Sequence, residues 1–123
     1  MPQIIVIDDD EQVRLWLKLA LERAGHEVLD ARDGQQGIKL LRNNPADLVI
    51  TDIVMPEKEG IETIIELRNQ FPDLKIIAIS GGGRNLPENY LDMAAKLGAD
   101  RTFTKPIQRE ELLDAIKDLL GSD

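Results

Sequence analysis

Residues 3–10 read QIIVIDDD. Four apolar residues, Ile4 to Ile7, follow one another without a break and stop against three aspartates. A strand with one wet face alternates apolar and polar residues. A run without alternation is covered on both faces, which is the condition of a strand inside a parallel sheet. The run is too short for a core helix, and Ile and Val favour the extended chain. The same pattern returns at DLVIT (47–51) and KIIAI (75–79), and less purely at EVLDA (27–31). RTFT (101–104) is polar enough to mark an edge.

Helical periodicity fills the intervals. From Glu11, the residues Val13, Trp16, Leu17, Ala20, Leu21 and Ala24 recur at i, i+3, i+4, i+7, i+8 and i+11. This spacing predicts one helix with Trp16 in its core face, stopped by Gly25. A second pattern covers Gly34–Arg42, and a third runs through Ile61, Ile64, Ile65 and Leu67 to a stop at Pro72. A fourth holds Tyr90, Leu91, Ala94, Ala95 and Leu97 before Gly98, and a fifth holds Leu112, Leu113, Ile116, Leu119 and Leu120. Strand then helix, five times over, is the order that parallel strands with crossover helices require. The expected fold is α/β: a doubly wound, five-stranded parallel sheet flanked by five helices. The 123 residues suit a single domain over 1–123, with 121–123 as a frayed tail.

Composition removes several functions. A formal net charge of −8 repels nucleic acid phosphates and anionic membrane, so neither is expected as a direct partner. There are no cysteines, which excludes disulfides, thiolate catalysis and thiolate metal sites. No apolar stretch approaches the roughly 20 residues that span a bilayer, and no signal peptide opens the chain, so the expected location is the cytoplasm.

In an open parallel sheet, ligands bind outside the carboxyl ends of the strands. The residues there are Asp8, Asp9 and Asp10 after the first strand and Asp52 after the third. Ser80 follows the fourth and Lys105 the fifth. Taken singly each is ordinary. Asp9 with Gln12 has the spacing of a capping box, Asp52 suits a turn, Ser80 a strand end and Lys105 a surface. Together they gather on one rim. Two carboxylates ~5 Å apart repel by about 3 kcal/mol at an effective dielectric of ~20, so such a cluster calls for counter-charge. Lys105 supplies one positive charge. A hard divalent cation with oxygen ligands supplies the rest, and Mg²⁺ suits one or two carboxylates with waters and a phosphate.

These pieces resemble a known family. VIDDD (6–10), PADLVITDIVMPEKEG (45–60), Ser80, LGAD (97–100) and KP (105–106) are together similar to the receiver domains of two-component response regulators, and the likeness spans nearly the whole chain. The resemblance implies the flavodoxin-like strand order 2-1-3-4-5. It implies that Asp52 accepts a phosphoryl group from a histidine kinase or phosphotransfer protein. Mg²⁺ would be held by Asp9, Asp52 and the backbone carbonyl of Val54, with Asp8 acting through water. Lys105 would pair with Asp52 and then with a phosphoryl oxygen, and the Ser80 hydroxyl would meet another. The Lys105–Pro106 bond is expected to be cis. Met55 and Pro56 shape the loop, and Gly60 permits a turn. The domain would not turn over a separate substrate, and it would act on a downstream protein or fused output domain, as a monomer or a phosphorylation-dependent dimer.

The sequence also departs from the family pattern. Thr102 stands where receivers usually carry Tyr or Phe, and Phe103 points to the opposite face of its strand. Switching is therefore expected to rely on Ser80, the loop after it and the fourth helix. Val54 and Gly82, at positions that tune phosphate lifetime in the family, cannot orient a water, so slow self-dephosphorylation is expected. The extra length in GGGRNLP (81–87) is tolerated as loop. His26, the one histidine, reads as an ordinary surface residue away from the rim.

Three other functions compete. Asp8-x-Asp10 fits the opening of a haloacid-dehalogenase-type phosphatase, but Glu11-Gln12 stands where Gly-Thr typically follows. A pseudo-receiver would keep the fold without Asp9, Asp52, Ser80 and Lys105 all intact. A flavin module would set its phosphate against an acidic rim.

Overall fold

The computed structural model describes residues 3–53, 60–81 and 90–121. Its elements, in chain order, are β1 (Gln3–Ile7), α1 (Glu11–Arg23), β2 (Glu27–Ala31), α2 (Gly34–Asn43), β3 (Leu48–Asp52), α3 (Gly60–Gln70), β4 (Lys75–Gly81), α4 (Tyr90–Leu97), β5 (Arg101–Lys105) and α5 (Arg109–Leu120). The strands form one sheet in the order β2-β1-β3-β4-β5, and every neighbouring pair is parallel. The expected architecture and strand order are those observed. Three strands run further than the sequence pattern suggested: β3 includes Asp52, β4 continues through Ser80 to Gly81, and β5 includes Lys105. Ladder pairing with Thr104 and Lys105 carries β4 past its last isoleucine.

The unbroken apolar runs work as their pattern demands. Alternate residues of each central strand enter opposite cores. Ile5, Ile7, Val49, Ile76 and Ala78 pack with Ile38 and Leu41 of α2, Ile64 and Leu67 of α3, and Ala94 of α4. Ile4, Val6, Leu48, Ile50, Ile77 and Ile79 pack with Leu17 and Leu21 of α1 and Leu112 and Ile116 of α5. Burying an Ile or Leu side chain contributes about 1.5–3 kcal/mol, so the two cores dominate the stability. The approach of α2 to β1 depends on Gly37, where a Cβ would run into Cδ1 of Ile7.

Helix α1 ends as expected. Gly25 has φ of 96°, and His26 N–H donates to Leu21 C=O at 3.1 Å, a Schellman closure. Its apolar stripe is less deeply buried than its periodicity implied. Leu17, Ala20 and Leu21 are buried, but Trp16 is 42% exposed. The indole borders a groove with Val13, Pro106 and Ile107 instead of filling the core. On β5, Phe103 packs against the α1/α5 core. Thr102 pairs with Ala78, whose side chain belongs to the opposite core, so the two residues do point apart. Lys105–Pro106 is cis. Among the described residues no helix is long and apolar enough to cross a membrane.

Candidate functional site

Register decides which residues meet. Ile7 pairs with Thr51, Asp52 with Ile79, and Gly81 with Lys105. One rim of the sheet therefore carries Asp8 and Asp9 just past β1, Asp52 ending β3, Ser80 near the end of β4 and Lys105 ending β5.

The turn after β1 is built by its own aspartates. Asp8 N–H continues the ladder to Ala31 C=O at 3.1 Å. Asp8 Oδ1 accepts from Asp10 N–H at 2.8 Å. Asp10 Oδ1 accepts from the N–H groups of Gln12 at 2.9 Å and Val13 at 3.3 Å. Asp10, not Asp9, is thus the N-cap of α1, and the expected Asp9–Gln12 capping box is not formed. The first helical residue is Glu11, and a cap must stand immediately before it. Asp9 is left exposed, with no hydrogen bond or ion pair to any described residue. Arg14, unremarked in the sequence, donates from Nη1 to Asp8 C=O at 2.8 Å and from Nε to Asp30 Oδ2 at 3.0 Å.

Asp8, Asp9 and Asp52 each bring one carboxylate oxygen within 4.8 Å of the others. Asp8 and Asp52 are almost fully buried. Lys105 Nζ donates to Asp52 Oδ2 at 3.0 Å and lies 3.2 Å from Asp8 Oδ2. The second contact is an ion pair by distance without the alignment of a hydrogen bond, so Asp8 Oδ2 is a buried oxygen with charge opposite it but no donor aimed at it. Burial pushes the Asp8 carboxyl up to about 6. The Asp10 N–H works against that rise, the Asp52 charge adds to it, and Lys105 counters it. Burial also works against the Lys105 ammonium, but the hydrogen bond and charge of Asp52, followed by Asp8, hold its pKa above the usual lysine value.

Among the described residues one ammonium stands against three carboxylates, which leaves negative charge in excess, and none of them donates a hydrogen bond to the buried Asp8 Oδ2. An all-oxygen donor set of this charge fits a hard divalent cation such as Mg²⁺. Ser80 is buried on β4, one residue past Ile79, the ladder partner of Asp52. Val54, Met55, Pro56, Gly82 and Gly83 lie outside the described residues, and Gly60 opens α3. His26 stands before β2, at the opposite end of the sheet. It is half-buried rather than a plain surface residue: burial lowers its pKa, and its Nδ1 has no partner among the described residues.

Comparison with known proteins gives one family. The model of the response regulator receiver domain matches residues 4–117. The chemotaxis protein CheY of Halobacterium salinarum is 34% identical over 118 residues, covering 96% of either chain. The transcriptional regulatory protein CpxR of Klebsiella pneumoniae is 36% identical over 98% of this chain, which spans only 50% of that relative's length. Among solved structures, the response regulator TrrA of Thermotoga maritima in complex with Mg²⁺–BeF superposes with a TM-score of 0.84 at 32% identity, over 97% of this chain and 99% of that one.

Proposed function

The chain belongs to the response regulator receiver family of signalling proteins, and from that premise we propose that it is a phosphoacceptor domain over residues 1–123, with Asp52 as acceptor. The observation that carries this reading is the contact of Lys105 with both Asp52 and Asp8 inside a rim of three carboxylates. The donor is a phosphohistidine of a partner kinase or phosphotransfer protein. A carboxylate oxygen of Asp52 attacks phosphorus, and the P–N bond breaks. The imidazole nitrogen leaves with the electron pair and takes a proton from solvent, and an acyl phosphate remains on Asp52.

A carboxylate is a weak nucleophile toward a phosphoryl group, so the site must supply position and charge. Lys105 holds Asp52 before transfer and neutralises a phosphoryl oxygen after it. The Ser80 hydroxyl donates to another. Asp9, Asp52 and the Val54 carbonyl would hold Mg²⁺, assisted by Asp8 through water, and the ion would supply charge neutralisation for the transfer. Support for Mg²⁺ comes from the orphaned Asp8 oxygen and from the Mg²⁺–BeF complex of TrrA. The loaded domain switches a downstream protein or fused output domain and turns over no other substrate. It works in the cytoplasm without contacting nucleic acid or membrane itself, as a monomer or as a dimer formed on phosphorylation.

Incubation with Mg²⁺ and acetyl phosphate tests this. The expected product carries one phosphate, stable to acid and labile to base, and Asp52→Asn yields none. Turnover of a model phosphoester would point to a phosphatase. No labelling under these conditions would leave a binding module.

A further inference from the structure

We propose that Arg14 is a positioning residue for the cation site: its grip on the Asp8 carbonyl and on Asp30 sets the direction in which Asp9 presents its carboxylate. This rests on the phosphoacceptor reading above and adds a residue to it. Arg14 lies in the first turn and a half of α1, with its side chain only 17% exposed. Its planar guanidinium bridges two neighbouring strand ends. Nη1 holds the carbonyl of Asp8 at the end of β1, and Nε holds the carboxylate of Asp30 in β2. Such a fork fixes direction as well as distance.

The consequence falls on Asp9. Of the three clustered aspartates it alone is exposed, and no described residue hydrogen-bonds its carboxylate. Asp8 is tied by the Asp10 N–H and Lys105, and Asp52 by Lys105. Among the described residues, then, only its own backbone aims Asp9. The peptide that carries its nitrogen is the one whose carbonyl Arg14 holds. Releasing that carbonyl lets the peptide rotate, and the Asp9 side chain rotates with it. Groups that orient metal ligands from outside typically cost 10–100-fold in affinity when removed.

The sign of the effect separates this role from the obvious alternative. A guanidinium beside an acidic rim opposes a cation by simple Coulomb repulsion, so removing it would tighten binding. Loss of positioning weakens binding instead. Titration of the intact protein with Mg²⁺ alone, followed by calorimetry, reads the difference. Arg14→Ala is expected to bind Mg²⁺ about tenfold more weakly. Arg14→Lys should be similarly weak, because an ammonium keeps the charge but cannot hold both acceptors. In Asp9→Asn, the further change Arg14→Ala should cost nothing more, since the group being aimed is gone. A purely structural role would instead lower stability and add its effect equally in both backgrounds.

Unchanged or tighter Mg²⁺ binding by Arg14→Ala overturns the proposal, as does full affinity in Arg14→Lys. If Arg14→Ala does not fold, Asp30→Ala releases the Nε end alone. A few-fold loss of Mg²⁺ affinity is then expected, and no loss overturns the assignment. A wild-type protein that accepts phosphate from acetyl phosphate while its Arg14 variants bind Mg²⁺ normally sinks only this inference. A wild type that neither binds Mg²⁺ nor takes phosphate sinks the phosphoacceptor reading as well.

Discussion

At the end of the sheet where β4 and β5 begin, Asp100 Oδ2 accepts from Ile76 N–H at 2.8 Å and from Arg68 Nη2 at 3.1 Å. Arg68 goes on to donate to the carbonyls of Pro72, Leu74 and Gly98 at 2.6–2.8 Å. Nearby, Asp47 Oδ2 accepts from Gln3 N–H at 2.9 Å. At the other end Asp8, Asp9 and Asp52 crowd one another, and among the described residues Lys105 is the ammonium that faces them. The same residue type does opposite work at the two rims. Where strands begin, Asp47 and Asp100 find donors and fasten backbone. Where they finish, carboxylates are held against their own repulsion. On the phosphoacceptor reading the asymmetry has a use: an underneutralised rim attracts a cation, whose charge then offsets that of an incoming phosphoryl group. Stability has to come from the opposite rim and the two cores.

The largest test of that division is Arg68→Ala. It strands three carbonyls and Asp100 at the junction of α3, β4 and β5, and hydrogen bonds to charged groups contribute about 1.5–3 kcal/mol each before solvent exposure is discounted. We expect a loss of about 3 kcal/mol, read as a fall in the urea midpoint. Phosphate uptake on Asp52 should persist wherever the variant remains folded. A variant that kept its stability but lost uptake would break the comparison.

The acidic rim should show the reverse behaviour through pH. Unfolded, Asp8 ionises near 3.8; folded, burial above all holds its proton until about 6. Between those values the folded chain binds more protons than the unfolded one, so stability falls as pH rises. There is no cost below about pH 4 and the full cost above about pH 6. A shift of about two units, in which the opposing effect of Lys105 is already counted, caps the effect near 3 kcal/mol, and Asn at this position forgoes the ion pair with Lys105. Asp8→Asn should therefore gain about 1 kcal/mol over wild type at pH 8 and nothing at pH 4. Urea midpoints at the two pH values check this, and added Mg²⁺ should narrow the gap at pH 8 by stabilising the wild type. Parallel pH curves for the two proteins would show that Asp8 is not held against its charge.

The contrast between the rims was partly legible in the sequence. QIIVI, DLVIT and KIIAI announce strands because a residue covered on both faces leaves no polar position to blur the pattern. Once the order is strand then helix, Asp8, Asp52, Ser80 and Lys105 fall on one rim by topology. Finer placement depended on contacts that periodicity cannot carry. DDD offers three possible caps one residue apart, and the choice of Asp10 follows from where β1 stops pairing. Trp16 has the right angle around α1 for burial, but the angle says nothing about what stands opposite, which is the open groove beside Pro106 and Ile107. Arg14 was invisible because its partners are a backbone carbonyl and Asp30, sixteen residues on. Arg68 was invisible for the same reason, with Gly98 and Asp100 about thirty residues away.

The smallest expected effect concerns how the acidic rim reports its state to the rest of the fold. Thr102 is half-buried on β5, beside Ala78 in the ladder, whereas Phe103 is committed to the α1/α5 core. A ring could signal by moving between solvent and the space next to Ala78, burying apolar area in one state only. Thr102 has no such area to exchange, and its removal to Ala deletes only a hydroxyl and a methyl. Thr102→Ala should change stability by no more than about 0.5 kcal/mol. Its amide spectrum should respond to beryllofluoride with Mg²⁺ as the wild type does, with shifts spreading from Ser80 into α4. If the variant binds the mimic and the shifts stop at the rim, Thr102 is itself the relay. The link from site to surface would then run through β5 and not through the segment after Ser80.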